Sequence, residues 1–126
     1  MPAHLLLVAL GGALGAAARY GLGLFAVRVW GAGLPVGTWA VNLLGSFAIG
    51  VAVPFIVAKG GTAEGLRLAL VIGFLGSFTT FSTFSLDTYA LWEEGHAGWA
   101  LVNMGGSVVL GLGCVALGLW LGRWVA

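Results

Sequence analysis

The sequence predicts an all-α membrane protein of four transmembrane helices, the third of them broken near its middle. Three observations carry that expectation. Of 126 residues, 60% are hydrophobic and only 7% are charged, whereas a soluble domain carries about 25% charged residues. The apolar residues collect into four stretches that each reach the roughly 20 residues a membrane helix requires. Finally, SFTTFSTFS (77–85) sets six hydroxyls among three phenylalanines inside one of those stretches.

The spans are expected at about 3–29, 38–58, 66–92 and 98–124, forming one domain over 1–126. Between them lie WGAGLPVG (30–37), KGGTAEG (59–65) and EEGHAG (93–98), all rich in turn formers. Six tryptophans (Trp30, Trp39, Trp92, Trp99, Trp120 and Trp124) mark the span limits, as expected of indoles, which prefer the headgroup level. The 23 glycines are interleaved with Leu, Val and Ala. Pairs one turn apart, Gly11 with Gly15 and Gly118 with Gly122, predict close helix packing. Pro54 is expected to kink or loosen the last turns of the second span. Cys114 has no partner for an internal disulfide and reads as a packing residue.

Ala16-Ala17-Ala18 resembles a signal-peptidase site. No Lys or Arg precedes it, however, and the apolar run continues to Val29, so the segment is expected to stay as a span. Net charge is +1, which points to no strongly charged partner. With four spans, Lys59, Arg67 and Arg123 fall on one side, and Arg28 (with or without Arg19) on the other. That bias is weak under the positive-inside rule, and insertion in both orientations is the hypothesis it supports.

Polar groups in lipid are costly unless they pair or face a cavity, so their placement is informative. Thr38, Asn42 and Ser46 form one stripe on the second span, and Asn103 with Ser107 forms another on the fourth. Either stripe alone reads first as interhelical glue, and two matching stripes on different helices point toward a shared polar track. Arg19 lies about 24 Å along its helix from Ala3 at 1.5 Å per residue. It would either snorkel to the interface or line a vestibule that attracts anions. Around 73–85, glycines and hydroxylated residues weaken the helix, and a discontinuous membrane helix exposes backbone groups able to bind ions.

Acidic residues are absent from the first, second and fourth spans, and Asp87 lies toward the end of the third. A small multidrug exporter, the alternative class of short four-span protein, would need a deep glutamate in its first span. HExxH, a Walker loop and paired Cys/His are all missing, and Gly-x-Gly pairs such as 21–23 and 111–113 lie within spans with no preceding strand, so no enzyme is expected.

Four motifs, GGALGAAARYGL (11–22), GTWAVNLLGSFAIG (37–50), GFLGSFTTFSTFS (73–85) and LVNMGGSVVLGLG (101–113), fall in order on the four spans. Together they resemble the Fluc/CrcB family of fluoride channels. The resemblance implies an antiparallel dual-topology homodimer in the cell (inner) membrane bilayer, with two fluoride pores and a structural sodium ion at its centre. By motif position, Phe81 and Phe84 match pore-lining rings, Asn42 an amide donor, and Ser107 a hydroxyl on the fourth-span track. Thr38, Thr83 and Asn103 join them as expected pore residues. Arg19 matches the vestibule arginine, and Gly76 and Thr79 match the broken-helix positions whose backbone carbonyls hold sodium, which puts the expected break around Gly76–Thr79. Relatives often carry hydroxyls one turn either side of Ser107, where this chain has Asn103 and Gly111. The function implied is passive export of cytoplasmic fluoride.

Overall fold

The computed structural model describes residues 1–126, and all of its regular elements are helical. Helix α1 spans Pro2–Trp30, with proline in its first turn, where its missing N–H costs no helical bond. Helix α2 spans Val36–Lys59 and continues through Pro54. Gly60, at φ +58°, ends it, in a conformation that glycine adopts without steric cost. A 3₁₀ turn, Gly60–Ala63, leads into the short helix α3, Glu64–Leu66. A π-helical segment, Arg67–Leu75, follows, and then α4, Gly76–Phe78. After two extended residues come α5, Phe81–Glu93, and α6, Ala97–Val125. Three helical stretches are long and apolar enough to cross a membrane: Pro2–Trp30, Val36–Glu93 and Ala97–Val125.

The 58-residue middle stretch doubles back on itself. Thr38 meets Asp87, Asn42 meets Thr80, and Gly45 meets Thr79. Rising numbers in α2 thus pair with falling numbers beyond Gly60. Helix α6 runs parallel to α2, since Trp39 meets Asn103 and Gly50 meets Gly118. Helix α1 runs parallel to the π-helical segment, from Leu7 beside Gly65 to Arg19 at Ser77.

The glycine pairs act as expected. A Cβ on Gly11 would overlap the Ala69 carbonyl, and one on Gly15 the Phe74 carbonyl. On α6, a Cβ on Gly118 would overlap the Phe47 carbonyl, and one on Gly122 would lie 2.7 Å from Val51 O. Helices without large interfacial side chains approach to backbone contact, which favours dispersion where no hydrophobic drive separates protein from lipid. Few side chains are fully buried, and large apolar residues such as Leu5, Leu14, Val109 and Leu112 stand outward. Outside the helices' apolar portions, Arg67 hydrogen-bonds Glu64 through Nε and Nη2, both at 2.9 Å. That bond holds the Glu64 carboxyl below its ordinary range.

Candidate functional site

The break falls at Thr79 (φ −83°, ψ 158°) and Thr80 (φ −151°, ψ 118°). The expected break at Gly76–Thr79 is therefore displaced toward its C-terminal end, because Gly76–Phe78 still forms a helical turn. The physical reason lies on α2. Asn42 Oδ1 accepts the Thr80 N–H at 2.7 Å, and Asn42 Nδ2 donates to the Thr80 carbonyl at 3.0 Å. In a continuous helix the Thr80 N–H would go to the Gly76 carbonyl; the asparagine takes it instead. One side-chain amide thus pairs both backbone groups of Thr80.

The hydroxyls divide between local and remote partners. Thr80 Oγ1 caps α5 by accepting the Thr83 N–H at 3.2 Å, a side-chain cap of the usual kind. Thr80 Oγ1 also donates to Thr83 Oγ1 at 3.1 Å. Thr79, Ser85 and Thr88 donate back to the carbonyls of Leu75, Phe81 and Phe84. Such back-bonding satisfies a hydroxyl in an apolar medium and often accompanies bends. The α2 stripe does reach across: Thr38 Oγ1 donates to Asp87 Oδ2 at 2.8 Å.

Arg19 neither snorkels freely nor stands unpaired. Its Nε donates to the Ser77 carbonyl at 3.0 Å, placing a cation at the C-terminal end of the first half of the broken helix. Helix C-termini carry partial negative charge, so this position is electrostatically favourable.

Two clefts flank the break. The first, of about 440 Å³, is lined by Arg19, Tyr20, Thr38, Thr80, Thr83 and Asp87 among others. The second, of about 420 Å³, brings together Asn42, Ser46, Gly76, Thr79, Phe81, Phe84 and Ser107. Phe81 and Phe84 lie in its wall with ring centroids 5.7 Å apart and planes tilted by 42°. Phe81 is 79% exposed on the single chain. The structure thus places Arg19, Thr38 and Thr83 on one side of the break, and Asn42, Phe81, Phe84, Ser107, Gly76 and Thr79 on the other. Asn103 lines neither cleft; it is 1% exposed and hydrogen-bonded at both ends of its amide.

Thr80, Trp39 and Thr88 are site-building residues that sequence reasoning passed over. Thr80 had a legible signal, a Thr three residues before Thr83 at the start of a helix, the pattern of a side-chain cap. Trp39 had none, since its position at a span limit already explained it.

Long apolar helices, backbone-close packing and polar clefts at a broken helix define a multi-pass membrane protein. Within that class the chain belongs to the CrcB family: residues 6–119 match the family described as CrcB-like protein, Camphor Resistance (CrcB). It is 46% identical over 118 residues to a protein of Allorhizobium ampelinum, covering 94% of each chain. A protein of Chloroflexus aurantiacus is 46% identical over 121 residues, covering 96% of each. One of Paracoccus denitrificans is 49% identical over 116 residues, covering 92% of this chain and 91% of its own. All three are named fluoride-specific ion channel FluC. That name is of a channel and not of an enzyme, in agreement with the sequence reading.

Proposed function

We propose that this chain is a fluoride-selective channel giving passive export of cytoplasmic fluoride. One observation carries the reading: Asn42, Phe81, Phe84 and Ser107 line a single cleft at a broken helix. The identity to proteins named for fluoride adds its weight. Fluoride is small and strongly hydrated, so a path must replace its water with donors. Asn42 gives one Nδ2 hydrogen to Thr80, and an amide has a second for an anion. Aromatic rings carry a positive edge, which Phe81 and Phe84 offer to the same ion. Arg19 serves as the cation of the vestibule, with Thr38 and Thr83 beside it. Direction comes from the electrochemical gradient, without ATP or proton coupling.

The chain crosses the bilayer four times. As one straight helix, the 58 residues of Val36–Glu93 would extend about 87 Å, nearly three times the roughly 30 Å hydrocarbon core. Doubling back at Gly60 turns one stretch into two crossings. Two copies associate antiparallel in the cell (inner) membrane and make two pores. The support is physical: a cleft holding Asn42, Thr79 and Ser107 is costly against lipid and calls for a protein cover. The weak charge bias suits insertion in both orientations.

A sodium ion at the dimer centre fits the residues present. Gly76 and Thr79 both border the second cleft, and Asn42 has taken the N–H that the Gly76 carbonyl would otherwise receive. Neutral carbonyl oxygens at a helix break suit a hard monovalent cation. Two such residues are too few for one ion, so the partner copy supplies the rest.

Fluoride efflux from liposomes containing the purified chain tests the proposal. Rapid fluoride release with chloride retained is expected; chloride passing as readily as fluoride defeats the selective-channel reading.

A further inference from the structure

The Asn103 amide makes three hydrogen bonds inside the protein. Its Oδ1 accepts the Trp39 Nε1–H at 2.6 Å and the Ser107 hydroxyl at 3.2 Å. Its Nδ2 donates to Thr88 Oγ1 at 2.8 Å, and Thr88 donates in turn to the Phe84 carbonyl at 2.7 Å. One buried side chain therefore joins α2, α5 and α6. It reaches the second cleft twice, at Ser107 directly and at Phe84 through Thr88.

The two bonds to Oδ1 are unequal. Hydroxyl-to-oxygen bonds cluster near 2.7–2.8 Å and N–H···O bonds near 2.9–3.0 Å. The serine bond is thus long and the indole bond short. A hydroxyl carries one proton, so a proton given to Asn103 is withheld from an anion. An isolated acceptor would resist losing it, because an unsatisfied buried oxygen is costly. Here Trp39 keeps Oδ1 satisfied whichever way the serine turns.

We propose that Asn103 is a positioning residue for Ser107. It parks the serine proton in a weak internal bond, from which an anion arriving in the cleft draws it. Trp39 sets how weak that bond is. The arrangement gives the hydroxyl a defined orientation before an anion arrives, and keeps Oδ1 paired when the proton swings to the ion. An aspartate in the same place would grip the proton more strongly, since hydrogen bonds to a charged acceptor are roughly twice as strong. The inference rests on the reading of the second cleft as an anion path.

The test combines fluoride efflux from liposomes with the indole N–H resonance of Trp39 in micelles, assigned by its loss in Trp39→Phe. Asn103→Leu and Ser107→Ala should each slow efflux roughly three- to tenfold, the scale of one hydrogen bond. The double variant should be no slower than the slower single, because both changes remove the same function. Ser107→Ala should move the Trp39 resonance downfield, as the indole gains sole use of Oδ1. Trp39→Phe leaves Asn103 in place and serves should Asn103→Leu fold poorly: it should slow efflux in the wild-type background and not in Ser107→Ala. Multiplying effects in either double variant overturn the inference, as does an unmoved Trp39 resonance in Ser107→Ala. Wild-type protein that releases no fluoride overturns the channel reading instead, and the resonance still decides whether Oδ1 is shared.

Discussion

Asn42 on α2 and Thr80 at the break form a closed two-bond pair, amide oxygen to N–H at 2.7 Å and amide nitrogen to carbonyl at 3.0 Å. A side chain here plays the part of a neighbouring backbone. Asn42→Ala would leave both Thr80 backbone groups without partners at a part-buried site. The expected loss is about 2–4 kcal/mol from two unmade bonds, read as a lower unfolding midpoint in detergent, together with loss of fluoride efflux. Asn42→Asp keeps the acceptor for the Thr80 N–H and should recover part of the stability without recovering efflux. Equal stability of the alanine variant and wild type would show that the pair does not hold the break.

The Phe81 ring stands 79% exposed on the single chain, so its replacement costs little packing within the protomer. Phe81→Ile should fold with near-wild-type stability and still slow fluoride efflux at least tenfold, about 1.4 kcal/mol in barrier height. Phe84→Ile should slow it similarly, since the two rings share one wall. Efflux unchanged in both variants would remove the rings from the path.

Gly45 seats the break. A Cβ at this position would overlap Thr79 Cγ2, so Gly45→Ala should destabilise by about 1–3 kcal/mol, the usual cost of overpacking. Thr79→Ser removes the obstructing methyl and keeps the hydroxyl that bonds the Leu75 carbonyl. The double variant should therefore recover most of the stability in thermal unfolding. Failure of that rescue would place the strain elsewhere.

The proposed sodium ion is open to removal. Replacing sodium with N-methylglucamine throughout purification should lower the thermal midpoint and loosen the proposed dimer on size exclusion. A ligand present at a hundredfold over its Kd contributes about 2.7 kcal/mol. Gly76→Ala, which adds a methyl at the edge of the same cleft, should weaken the response to sodium. An identical melting curve in both cations would take the ion out of the proposal.

How far the site could be read from the chain differs from residue to residue. The polar stripe of Thr38, Asn42 and Ser46 is legible because a helix repeats every 3.6 residues and lipid penalises unpaired polar groups. The weak helix around 73–85 is legible from its glycines and hydroxyls. Where the helix parts is not, since the displacement to Thr79–Thr80 depends on Asn42, which lies 38 positions away in the chain. Stripe membership likewise does not tell a cleft-facing residue from a buried one. Asn103 and Ser107 share one face of α6, yet Ser107 borders the cleft and Asn103 is sealed beneath Trp39.

Solvent, helical class and close packing follow from the residues alone. Composition rules out a water-exposed surface of the usual kind, and backbone groups in lipid must pair within a helix. Glycines one turn apart allow contact at backbone distance. Which hydroxyls serve the break, which way Arg19 turns, and which donors share the Asn103 oxygen follow from the assembled fold. Those choices depend on hydrogen bonds between elements remote in the chain. A donor's partner is fixed by distances of a few tenths of an ångström that no local pattern encodes.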